Sequence, residues 1–185
     1  EDAAPDAARG AAGGNAAAPF AAASWFVPPR FRMEAADGRR AAERVVRVVR
    51  GAEFERFTAD SRERLFREPF AVRPQSDRMG CRLGGPRLAL AAPLELLSEG
   101  VGEGTIQVPP DGEPIVLLAD RQTIGGYPRI AHVAAVDIPL VAQTMPGETI
   151  RFAEIALAEA ERLLLERERR LRALKAAIAL RLSKK

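Results

Sequence analysis

The densest group of chemistry-bearing residues lies in ADRQTIGGYPRI (119–130), between the apolar runs PIVLLA and RIAHVAAV. It holds Asp120, Arg121, Gln122, Thr123, the pair Gly125-Gly126 and Tyr127. A plain hairpin needs only about two to five turn residues, so this connection carries more hydrogen-bonding groups than a turn requires. Adjacent glycines can expose backbone N–H groups and let a ligand approach closely. An arginine fork suits a carboxylate or a planar carbonyl group. Together such donors could stabilise negative charge developing on a carbonyl or ureido oxygen. Further polar groups stand at the ends of other apolar runs: Ser76-Asp77-Arg78, Ser98-Glu99 and Gln107. Two readings fit them. Either aspartates and arginines satisfy one another around a barrel rim, or they converge on a ligand; the density of 119–127 favours a site.

Other chemistries are poorly supplied. His132 is the only histidine and Cys81 the only cysteine, too few for the usual zinc sets, and no acidic cluster has EF-hand spacing. His132 lies in a strand-like run whose alternation puts Ile130, His132 and Ala134 on one face, which favours a packed, hydrogen-bonded histidine over a catalytic base. Cys81, beside Gly80, reads as a small buried residue. GVGEG (100–104) lacks the spacing of a dinucleotide fingerprint, and TIQV rather than a helix follows it. No P-loop is present, so any ATP chemistry belongs to another chain or domain.

The chain has 185 residues, 47% of them apolar, enough for one core. The net charge is +3, with arginine and glutamate interspersed along most of the chain. That is a solvated surface rather than a phosphate-binding stripe, and aromatics at 5% argue against base stacking, so nucleic acid is not an expected partner. A single cysteine forms no intrachain disulfide. No apolar run approaches the roughly 20 residues that span a bilayer, and membrane association is not expected. Cytoplasmic is the default compartment.

Residues 1–43 are rich in alanine, glycine and proline and read as an arm, with Trp25 and Phe26 as its anchor. Order is expected from Arg44. RVVRVVR (44–50) predicts a strand, and TADSRERLF (58–66) a short helix capped by Thr58 or Ser61. From Phe70 to Phe152 the runs FAV, RLALAA, TIQV, PIVLLA, RIAHVAAV and TIRF alternate with turn chemistry, which predicts a mainly β antiparallel barrel or sandwich. DIPLVAQ (137–143) predicts one helical turn capped by Asp137. Residues 153–185 predict a long C-terminal helix, its first two turns packed on the β body and LERERRLR projecting outward. Its heptad stripe Leu157, Leu164, Leu171, Ile178 is interrupted by Arg167 and Arg181.

SDRMGCRL (76–83), SEGVGEGTIQVPPDGEPIVLLADRQTIGGYPRIA (98–131) and DIPLVAQTMPGETIRF (137–152) together resemble the C-terminal half of the biotin-dependent carboxyltransferase, or allophanate hydrolase subunit 2-like, family. That family includes urea amidolyase-related carboxyltransferase domains, the C subunit of 5-oxoprolinase and the regulator KipA. The resemblance, over about residues 44–155, implies a cyclophilin-like barrel lobe at 44–152 and a ligand cleft shared with a second lobe. It implies carboxyl transfer or ATP-dependent opening of the 5-oxoproline amide ring. It also marks Asp120, Gln122 and Tyr127 as catalytic candidates and Arg78, Gln107, Thr123, Gly125 and Gly126 as substrate-binding ones. No cofactor is expected on the chain itself: biotin would arrive on a partner carrier, and a partner chain would use ATP. Residues 1–43 are too short to supply the N-terminal lobe, so that lobe and KipI-like or other 5-oxoprolinase subunits are expected partners, and this chain alone is expected to be inactive. The alternative is a KipA-like regulator that acts by binding another protein.

Overall fold

The computed structural model describes residues 44–183; the expected arm at 1–43 and the last two lysines lie outside the described residues. Among the described residues, nine strands and three α-helices follow in chain order: β1 (Arg44–Arg50), α1 (Ala59–Arg67), β2 (Phe70–Val72), β3 (Gly80–Gly84), β4 (Glu99–Gly100), β5 (Thr105–Gln107), β6 (Ile115–Leu117), β7 (Ile124–Gly125), β8 (Arg129–Val133), α2 (Ile138–Ala142), β9 (Thr149–Glu154) and α3 (Leu157–Leu182). Seven of the strands close a barrel in the order β1-β8-β5-β6-β3-β2-β9, and β4 and β7 form a separate two-stranded arm. Each of these pairings is antiparallel except the seam, where β1 runs parallel to β9.

Side-chain alternation explains why these segments are strands. In β1, Val46 and Val48 are fully buried while Val45 is half exposed, and in β9 Ile150 and Phe152 point inward in the same way. Phe70 meets Phe152 with ring centroids 5.6 Å apart, and Leu83, Ile106, Val116 and Val133 complete the packed interior. β3 escapes the sequence reading because it is a short GCRLG run between glycines. RLALAA, expected as a strand, is not one. Its backbone is spent elsewhere: Ala89 O accepts from Thr58 N, Ala91 N donates to Arg56 O, and Leu90 makes an isolated bridge to Phe57.

α1 starts where the sequence places it, with Thr58 Oγ1 accepting from Ser61 N at 3.1 Å. α2 also forms, but Asp137 does not cap it through its side chain. The carboxylate, 2% exposed, instead accepts from Arg47 N at 2.9 Å and Arg47 Nε at 2.7 Å, and also from Nη2. A charge this deeply buried takes the guanidinium and backbone of β1 in place of weaker helix N–H groups.

Ala153 and Glu154 remain paired with β1, so α3 begins only at Leu157. None of its residues is fully buried and Leu157 is 64% exposed, but Ala160, Leu163 and Leu164 are partly covered and α3 touches β1, so the first two turns pack only loosely on the body. Its polar contact with the body comes at mid-helix, where Arg167 Nη1 donates to Ala135 O at 3.1 Å. Among the described residues, no helix is long and apolar enough to cross a membrane.

Replacing Asp137 with alanine removes three charge-assisted bonds and is expected to cost about 3 kcal/mol, with asparagine recovering part of it. Urea unfolding midpoints measure this. An alanine variant as stable as the parent would show that the pair does not hold α2 to β1.

Candidate functional site

β5 lies between β6 and β8 in the barrel, so the chain leaving β6 must cross the outside of β5 before it can become β8. Residues 118–128 make that crossing, and β7 forms midway by pairing with β4, Glu99 against Gly125 and Gly100 against Ile124. The many polar groups of this connection are partly explained by the surface they cover. Gln107, on the outer face of β5, is 2% exposed and its Nε2 reaches Tyr127 O at 3.4 Å. A Cβ on Gly125 would stand 2.5 Å from that Nε2, so only glycine lets the arm lie this close. Arg129 of β8 holds the arm from below. It donates to Glu53 through Nε at 2.8 Å and Nη2 at 2.7 Å, and pairs with Glu99 of β4 at 2.9 Å. The Arg129 hydrogen bond keeps the Glu53 carboxyl below its ordinary pKa range, against the opposing effect of burial.

The candidate residues fall into four groups. Arg78 and Asp120 come together, Nη2 to Oδ2 at 2.8 Å, and both line a cavity of about 360 Å³ at the barrel end beside α2. Gly126 and Tyr127 line a different groove, of about 740 Å³, walled by segments 87–94 and 108–112. Gln107 is buried beneath the arm, touching Gly125. Gln122 and Thr123 have exposed side chains, and Thr123 contributes its carbonyl to Val101 N at 3.0 Å. Asp120, Gln122 and Tyr127 therefore do not converge on one reacting centre in this chain.

The cavity beside α2 has a floor of Val72, Cys81, Leu118 and Val141, all buried, and a rim that includes Arg78, Asp120, Glu103 and Thr144. Sequence reasoning missed the last two. Glu103 sat inside the rejected GVGEG motif, although Gly104 at φ 88° shows that the run is a tight turn. The Arg78 side chain is 86% exposed and Asp120 uses only one of its two terminal nitrogens, so most of its donor fork is free to meet an incoming oxygen. Its pair with Asp120 is a surface ion pair, easily exchanged for a ligand. Burial pushes the Cys81 thiol pKa up, which disfavours the thiolate, and His132 does not line the cavity. Among the described residues, no group of three or more His, Cys, Asp or Glu side chains could hold a metal. What the rim offers is one largely free guanidinium, Arg78, among the carboxylates of Asp77, Glu103 and Asp120, over an apolar floor.

His132 pairs with Thr105 across the barrel wall, Oγ1 to Nδ1 at 3.3 Å, as a hydrogen-bonded structural histidine would. The expected shared face with Ile130 is broken by a bulge between Ile106 and Gln107, which turns Ile130 into the core.

Known proteins place this architecture. The profile of a family described as carboxyltransferase domain, subdomain A and B, matches residues 13–154. The chain is 42% identical over 124 residues to the 5-oxoprolinase C subunit of Haemophilus influenzae, and 40% identical over 124 residues to that of Escherichia coli. Each alignment covers 67% of this chain and 40% of the relative, so the matched part spans well under half of either protein. Among solved structures, Kluyveromyces lactis urea carboxylase superposes with a TM-score of 0.65 at 25% identity, covering 69% of this chain and 12% of that one. α3 lies beyond the end of the family match.

A Gly125→Ala substitution is expected to destabilise by about 1–2 kcal/mol, because its methyl must displace the Gln107 amide. Combining it with Gln107→Ala should relieve much of that cost, a non-additivity that a double-mutant cycle in urea would read. Strictly additive effects would place the arm farther from Gln107.

Proposed function

This chain belongs to the carboxyltransferase domain family, subdomains A and B, and from that premise we propose that it forms the C-terminal lobe of a protein like the C subunit of 5-oxoprolinase. The observation that carries the reading is the identity of 42% and 40% to two proteins of that name across two thirds of the chain. In this reading the rim of the cavity beside α2 is one wall of a site completed by a complementary lobe. Arg78 meets the oxygen of an amide or ureido carbonyl as it gains negative charge, and Asp120 keeps the guanidinium at the rim until the ligand arrives. The apolar floor of Val72, Leu118 and Val141 lowers the local dielectric and so strengthens that contact. A single wall excludes no water, so the chain by itself is inactive.

The partners are the complementary lobe and further oxoprolinase subunits, one of which uses ATP, and the substrate is a small cyclic amide. A second reading, carboxyl transfer with biotin brought by a partner carrier, is favoured by the structural likeness to urea carboxylase.

The test is ATP-dependent release of glutamate from 5-oxoproline by the chain reconstituted with oxoprolinase partner subunits. Arg78→Ala is expected to lower kcat/KM by about 100-fold without changing the unfolding midpoint. Undiminished turnover would remove Arg78 from the site. Turnover by the chain alone would overturn the shared-wall reading, and inhibition by avidin would move the assignment to carboxyl transfer.

A further inference from the structure

The turn from Val101 to Gly104 faces two ways. Glu103 lines the cavity beside α2, while Gly102 lies over His132, where a Cβ would stand 3.5 Å from the ring Cε1. His132 is held between Val49 of β1 and Thr105 of β5 in the barrel wall. Arg121 reaches the same turn, its Nε donating to Val101 O at 3.2 Å. Its chain neighbour, Asp120, lines the cavity with Glu103. One imidazole and one guanidinium thus sit behind two of the segments that supply carboxylates to the cavity, those of Glu103 and Asp120.

We propose that His132 and Arg121 are positioning residues of this cavity, and that an uncharged His132 is what lets Arg121 hold the Val101–Gly104 turn in place. The inference rests on the cavity being the functional site. A proton on His132 would put a second cation beside Arg121 under the same turn, and the repulsion would be relieved by moving the turn with Glu103, or the 119–121 segment with Asp120. The other charges on the neighbouring elements are already paired: in β1, Arg44 with Glu148, Arg47 with Asp137 and Arg50 with Glu55 and Glu154, and in β8, Arg129 with Glu53 and Glu99. In the covering turn itself the charged group is Glu103, on the cavity side. Burial, and then the charge of Arg121, hold the His132 pKa below its ordinary value. A histidine with a lowered folded pKa binds its proton more readily when unfolded. The arrangement is therefore intact above about pH 6.5 and weakens as the pH falls from there through the lower folded pKa.

As the only histidine, His132 gives a single ring resonance to follow by NMR in the full chain, from about pH 8 down to about pH 5. The backbone amides of Val101, Glu103 and Asp120 are expected to shift with the ring's own midpoint. In His132→Gln they should stay flat over the same range. In Arg121→Gln the ring midpoint should rise and the amides should stop following it. Amides that stay still while the ring titrates, amides that titrate unchanged in His132→Gln, or a ring that never titrates would each overturn the proposal. This readout needs no substrate, so its failure is separate from a failure of the Arg78 assay.

Discussion

Because β5 lies between β6 and β8, the polypeptide has to cross an outer barrel wall that would otherwise face water, and the placing of the polar 119–127 stretch follows from this crossing. A crossing segment buries what it covers, so the outer face of β5 and β8 had to become a satisfied polar layer. Gln107 and Arg129 are that layer, and Glu53 and Glu99 neutralise the arginine from the barrel side and the arm side. The arm formed by β4 and β7 has two residues per strand, too few to stand alone, and depends on these contacts for its position.

The crossing also divides the polar stretch that looks continuous in sequence. Asp120 is left on one side at the barrel mouth, Tyr127 on the other beside the 87–94 segment, and the glycines are used where the arm meets Gln107. Asp120 and Tyr127 thus line different pockets of the described residues, and the relatives are more than twice as long as the part aligned with this chain.

Much of the barrel was legible because its signal is local. The alternation in RVVRVVR and TIRF, the Thr58 cap and the absence of helix breakers after residue 152 all act within a few residues. What stayed hidden was set by partners distant in sequence. Asp137 looks like a cap until Arg47, ninety positions away, is brought against it. RLALAA has strand composition, but its hydrogen bonds go to the segment before α1, to Ser61 within α1 and to Gly112. At the site, the pairing of Arg78 with Asp120 followed from no spacing rule, and Glu103 was hidden in a glycine turn whose value lies in its left-handed Gly104. The resemblance, resting on three ordered blocks, identified the family where periodicity alone reached only a fold class.

The parallel seam between β1 and β9 joins Arg44 to Ile150, so barrel closure waits for strands at opposite ends of the domain. During synthesis β2-β3 and β5-β6 can pair with their chain neighbours, but the edges of β1 and β2 that β9 covers stay open until the ribosome has delivered residues 149–154. Until then an unsealed edge is available to foreign strands, so an early arrest of translation would leave an aggregation-prone intermediate rather than a smaller stable barrel.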